Sequence, residues 1–224
     1  MKRYHVSTML RSISIILISS MYIFFVPAAS AQEIAENPAL DDSVRSFLEE
    51  MEGEWDDWNV PQSDGKILYH IILKYNYTRA LEIGTSTGHS GIWIAWALSK
   101  TGGKLITIEI NENRYQQALE NFKKAGLLKY IDARLGDAHE MVKEIEGPFD
   151  FIFSDADKDW YINYFKDTYP KLVVGGCFTA HNVKKSSWFG GGTAEFYDYI
   201  KDLPGLETTV DESGSGMSIS YKKR

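Results

Sequence analysis

The chain has 224 residues, a formal charge of −7, 44% hydrophobic residues and one cysteine. That is enough apolar material for one core, and the acidic balance argues against a nucleic-acid or anionic-membrane partner, which would need a clustered basic face; the only basic run is the terminal Lys222-Lys223-Arg224. With Cys177 alone, an intrachain disulfide is excluded and a cysteine-based metal site has no ligand set.

Residues 1–31 stand apart. "MKRYHVSTMLR" carries Lys2, Arg3 and Arg11 and no acid, an apolar run follows from Ile13 to Val26, and Ala29-Ser30-Ala31 has the small-x-small spacing of a cleavage site. The run is shorter than the roughly 20 residues of a membrane span, and Pro27 ends it. The pattern predicts a secretory signal peptide cleaved after Ala31, hence a periplasmic or secreted protein; an uncleaved membrane anchor is the alternative, and the only route to membrane association. Losing three cations and no anion takes the charge of residues 32–224 to −10.

From residue 41 onward, strands and helices alternate. "DDSVRSFLEEMEGE" predicts a helix capped by Asp41 or Asp42, and "SDGKILYHIILKYN" a second, with Ile67, Leu68, Ile71 and Ile72 on one face. "RALEIGT" reads as a buried strand, "SGIWIAWALSK" as a helix, "KLITIEI" as a strand and "NRYQQALENFKKAGL" as an amphipathic helix ending at Gly126. Strand "IDARLGD", short helix "HEMVKEIE", strand "FDFIFSDAD", helix "WYINYFKDTYPKL", strand "VVGGCFTAHNV" and helix "TAEFYDYIKDL" follow. "LETTVDE" and "GMSISYKK" form a hairpin through "SGSG". Such alternation predicts a single α/β domain over residues 32–224, a doubly wound Rossmann-like sheet, parallel through five strands with an antiparallel edge.

Ligands in such sheets bind beyond the carboxyl ends of the strands. Those ends hold Glu82-Ile83-Gly84, Glu109, Gly136-Asp137, Asp155 and His181-Asn182, so every parallel strand delivers a polar group or glycine to one rim. In "LEIGTSTGHSG", Gly84 and Gly88 permit a tight turn and close approach to a ligand, but Ser86 stands where a dinucleotide loop needs glycine. NAD or FAD is therefore disfavoured, and a dehydrogenase with it. A nucleoside without a pyrophosphate fits better, with Glu109 placed to accept both ribose hydroxyls.

"LEIGTSTGHS", "ITIEINENRYQQALENF", "GDAHEMV", "FDFIFSDADKDWYINYF" and "GGCFTAHNV" resemble the successive motifs of class I S-adenosylmethionine-dependent methyltransferases. More narrowly, they are similar to the cation-dependent catechol and caffeoyl-CoA O-methyltransferases, from about Trp58 to Tyr221. The resemblance implies a seven-stranded sheet with its last strand reversed, and S-adenosylmethionine bound at Val60, Glu82, Gly84, Ser90, Glu109, Ala138, His139 and Asp155. It also implies Lys158 as the catalytic lysine, a small phenolic acceptor and a homodimer. His89 and His70 receive no role, and Asp157 either meets the cofactor or caps the following helix.

The family's divalent ion, typically Mg²⁺, would sit on Asp155, position 181 and Asn182. Here position 181 is histidine where the resemblance implies aspartate. Three readings stay open. His181 is a ligand for a softer ion (Mn²⁺, Fe²⁺ or Zn²⁺), a catalytic general base in a metal-independent methyl transfer, or part of a site that has lost turnover and only binds S-adenosylmethionine. Trp55, Trp58, Trp188 and Phe189 fall in segments that, by resemblance, border the acceptor pocket, with "SSWFGGGT" as a lid.

Overall fold

The computed structural model describes Met1 and residues 35–55, 58–184 and 191–224. The leader reading and the Trp188-Phe189 lid reading fall outside the described residues, and residues 32–224 form one compact unit.

Helix α1 spans Pro38–Glu50 and starts before the expected cap: the Asn37 side chain accepts a hydrogen bond from Leu40 N (3.2 Å), with Pro38 pre-set for the first turn. Asp41 is instead drawn inward, accepting from Trp96 Nε1 at 2.7 Å and pairing with Lys100. Helix α2, Gln62–Tyr75, buries Leu68, Ile71 and Ile72 and ends on Asn76 in the left-handed region. Helix α3, His89–Thr101, is apolar on nearly every side and buried throughout its first ten residues, so it fills the space between the sheet and α1 and α2.

Five parallel strands follow the expected order: β1 (Arg79–Ile83), β2 (Lys104–Glu109), β3 (Ile131–Leu135), β4 (Phe149–Ser154) and β5 (Leu172–His181). Helices α4 (Glu112–Lys124), α5 (Ala138–Glu144), α6 (Tyr161–Thr168) and α7 (Gly192–Ile200) connect them or follow β5. Strand β6 (Leu206–Asp211) and β7 (Met217–Lys222) complete a seven-stranded sheet of order β3-β2-β1-β4-β5-β7-β6. Side chains alternate across it: Ile152 and Phe178 pack with Tyr161, Phe165 and Phe196, while Phe151, Phe153 and Cys177 face Leu68, Ile72 and Leu98.

Two features of this order place the site. The sheet reverses at β1, flanked by β2 and β4, so the crevice opens beyond Ile83 and Ser154. Strand β7 inserts between β5 and β6, antiparallel to both, and pairs Met217 with His181. The β6–β7 turn is thereby carried to the same rim as the end of β5. Among the described residues no helix is long and apolar enough to cross a membrane.

Candidate active site

A cavity of about 620 Å³ lies at this rim. Gly84, Ser86, Glu109, Ala138 and His139 line one end, and Asp155, Lys158, His181 and Asn182 the other. Sequence reasoning assigned all of these but Ser86 as cofactor, catalytic or metal residues, and the fold brings them onto one wall. Trp58 also reaches the wall, together with Tyr164, Arg114 and Ser215.

At the first end the backbone of the glycine loop is tied to the neighbouring strand. Gly84 N and Thr85 N both donate to Ile108 O at 3.1 Å, and Gly84 has φ +97°. Glu109 fixes the loop from the side: Oε2 accepts from Ser86 N (2.7 Å) and Oε1 from Asn111 N (2.9 Å), leaving further lone pairs for a diol at the cavity wall. Asp137 caps α5 by accepting from His139 N at 2.9 Å, and the His139 ring lies 4.4 Å from that of Trp160. A flat base has an apolar wall at Ala138 and Ile108 and a polar edge at His139. These residues fit S-adenosylmethionine. Asp157 caps the turn after β4 through Asp159 N (3.1 Å) and stands 3.4 Å from His139 Nε2.

Val60, Glu82 and Ser90 lie off that wall. Val60 lines a second cavity of about 480 Å³ with Trp55 and His89. His89, left without a role in the sequence, pins this segment. Its Nδ1–H donates to Val60 O (2.7 Å), its Nε2 accepts from Trp93 Nε1 (3.1 Å), and Trp55 stacks on it at 4.4 Å. Burial lowers its pKa to about 4, so the ring is neutral.

Glu82 is wholly buried behind the glycine loop, where Oε2 accepts from Thr107 Oγ1 (2.6 Å) and Oε1 has no partner among the described residues. Burial pushes its carboxyl up to about 8, against the pull of hydrogen bonds from Ser90 and Thr107. The unfolded chain releases this proton near 4.5 and the folded chain only near 8, so the unfolded state binds fewer protons in that window and stability falls as pH rises through it. Glu82→Gln is expected to flatten that decline and to raise Tm relative to the parent more at pH 8 than at pH 5, read by thermal melts at both values.

The other end is a chain of charged groups. Asp155 Oδ1 receives Lys158 Nζ, which also donates to Tyr161 OH at 2.9 Å. Tyr161 OH in turn donates to His181 O at 3.2 Å, and burial holds its proton on. Asp155 Oδ2 is 3.1 Å from His181 Nδ1. His181 Nε2 is 2.9 Å from Oδ2 of Asp64, a residue sequence reasoning missed. Burial opposes charge on His181, but hydrogen bonds to Asp155 and Asp64 outweigh it and the pKa is raised.

This arrangement tests the implied metal. Both Asp155 oxygens and both His181 nitrogens are engaged by one another, Lys158 and Asp64, while Asn182 is exposed with φ +58°. An imidazole that donates from both nitrogens has no lone pair for an ion. Among the described residues no group of three or more His, Cys, Asp or Glu is arranged to hold a metal ion. As placed, Asp155, His181 and Asn182 do not fit a divalent cation.

A family model described as O-methyltransferase matches residues 29–201. The chain belongs to that family. Caffeoyl-CoA O-methyltransferase 1 of Arabidopsis thaliana is 36% identical over 189 residues, 72% of this chain and 71% of that one. Catechol O-methyltransferase of Niastella koreensis is 39% identical over 129 residues, covering 56% and 58%. Among solved structures, the O-methyltransferase from Bacillus cereus in complex with SAH is 24% identical with a TM-score of 0.66, covering 85% of this chain and 93% of that one. At that identity the structural likeness is one of fold. As a family member the chain is an O-methyltransferase, and the seven-stranded sheet with its reversed last strand, expected from the motifs, is the fold observed.

Proposed function

We propose that this O-methyltransferase moves a methyl group from S-adenosylmethionine to a hydroxyl of a small phenolic or catechol-like acceptor. The observation that carries the reading is one continuous cavity wall running from Glu109, Ala138 and His139 to Asp155 and Lys158. When bound, S-adenosylmethionine supplies an electrophilic sulfonium methyl. Glu109 and the glycine loop hold the nucleoside, and Ala138 and His139 flank the base. Lys158, partly exposed and fixed between Asp155 and Tyr161, presents a cation to the acceptor hydroxyl. A phenol of pKa about 10 is mostly protonated at neutral pH, and a nearby ammonium favours its ionised form, the proton passing to solvent; the O–CH3 bond then forms as the S–CH3 bond breaks and S-adenosylhomocysteine leaves. Fixing that oxygen beside Lys158 adds the advantage of proximity. The relatives named for caffeoyl-CoA and catechol acceptors support a phenolic substrate.

Methyl transfer from labelled S-adenosylmethionine to a panel of catechols, with calorimetric cofactor binding in parallel, tests this. Turnover with at least one catechol is expected. Stoichiometric cofactor binding with no transfer to any acceptor assigns the chain to a binding role. Residues 1–31 are proposed as an export leader on their pattern alone, and N-terminal sequencing of the exported protein is expected to begin at Gln32. The homodimer implied by the resemblance is read by light scattering.

A further inference from the structure

The residue that departs from the family pattern, His181, is the centre of a buried charged cluster at the rim. It is 4% exposed, and Asp64, its partner across 117 positions, is 1% exposed. Asp64 sits in the first turn of α2, where Ser63 Oγ donates to its Oδ1 at 3.1 Å and Ser215 N to its Oδ2 at 3.0 Å. The β6–β7 turn is moulded on it: a Cβ added to Gly214 would lie 1.7 Å from Asp64 Oδ1. A buried carboxylate with this many donors is a built feature, because a buried charge left unpaired is strongly destabilising.

Carboxylates only accept hydrogen bonds, so a ring lying between two of them donates from both nitrogens and carries a positive charge. Two carboxylates, one imidazolium and one ammonium then sum to zero. The site holds, in its own side chains, the positive charge that a bound cation would bring.

We propose that the Asp64–His181–Asp155 clamp replaces the divalent cation in this enzyme, with Asp64 as the positioning residue. Asp64 holds the His181 ring, His181 holds Asp155, and Asp155 aims Lys158 at the acceptor. The chemistry of the site therefore runs without a metal. Returning position 181 to aspartate removes the internal cation and leaves three carboxylates facing one another, a ligand set that invites Mg²⁺ or Mn²⁺. This rests on the reading of the cavity as a methyl-transfer site.

The test uses chelator-stripped wild type, His181→Asp, Asp64→Asn and Asp64→Glu. Mn²⁺ titration followed by electron paramagnetic resonance needs no turnover. Wild type is expected to take up no stoichiometric Mn²⁺, and His181→Asp to bind one ion per chain. In turnover assays wild type is expected to be indifferent to chelator, and His181→Asp to require added Mg²⁺ or Mn²⁺. Asp64→Asn should lower kcat by about 10–100-fold, the usual effect of losing a residue that orients a ligand or catalytic group. KM for S-adenosylmethionine should hold, and Asp64→Glu should recover part of kcat; a merely structural aspartate would give neither the split nor the recovery. One equivalent of Mn²⁺ on wild type with turnover returning only in its presence overturns the clamp, as does full kcat in Asp64→Asn. If wild type neither binds S-adenosylmethionine nor transfers a methyl, the proposed function falls, and the Mn²⁺ titration still decides the clamp.

Discussion

Lys158→Ala is expected to lower kcat for methyl transfer by about 10²–10⁴-fold, the usual contribution of a positioned acid–base or charge-stabilising group. Cofactor affinity should be unchanged. The split follows from where the side chain stands. Lys158 leaves β4 in the first turn beyond Asp155, binds Asp155 and Tyr161 OH, and lines the Asp155–His181 end of the cavity rather than the Glu109–His139 end. An interaction made only as the acceptor oxygen gains charge is lost from kcat and from kcat/KM equally. Lys158→Arg separates charge from placement, since guanidinium keeps the charge but not the compact ammonium. Arginine recovering an order of magnitude over alanine assigns the effect to charge alone, and arginine as slow as alanine assigns it to the placement of a compact ammonium between Asp155 and Tyr161. Single-turnover rates and cofactor Kd, measured for all three proteins, decide this. An alanine variant with wild-type kcat would remove Lys158 from the chemistry.

Most of the sheet was legible because its strands carry their own punctuation. "FDFIFS" and the "CFTAH" half of the fifth strand are packed on both faces and run into polar residues, and the rule that ligands gather at strand ends places Asp155 and His181 together. Asp64 was not legible. An acid in the first turn of a helix is the expected complement of the helix dipole, so its residue type raised no question. Its partner is 117 residues away, and the turn that wraps it arrives only because β7 inserts between β5 and β6. A hairpin can be read from "SGSG", but the sequence does not say on which side it joins the sheet. Glu82, Ser90 and Val60 show the opposite limit. A resemblance carries positions across, not the depth of a side chain: Glu82 and Ser90 are buried off the cavity wall, and Val60 lines the second cavity.

Gly84→Ala tests whether fold and site share one contact. Gly84 has φ +97°, and a Cβ there would lie 2.6 Å from Asp155 O, 2.8 Å from its carbonyl carbon and 3.0 Å from Ala156 N. All three are backbone atoms of the segment that carries Asp155, so no side-chain rotation relieves the contact. The left-handed conformation costs alanine about 1–2 kcal/mol, and forced overpacking adds about 1–3 kcal/mol. A chain of this size loses roughly 2–4 °C of Tm per kcal/mol, so a drop of about 5–15 °C is expected. Gly175→Ala is the control: its φ is +85° but nothing lies within 4 Å of the added carbon, so it bears the backbone cost alone. The difference in Tm between the two variants isolates the collision with Asp155. That collision should also displace Asp155 from Lys158 and His181, so Gly84→Ala is expected to lose cofactor affinity and turnover together, while Gly175→Ala keeps both. Equal melting temperatures and equal activities would mean that the β1 loop yields freely. The close seating of Gly84 on Asp155 would then have no part in holding the charged cluster at the rim.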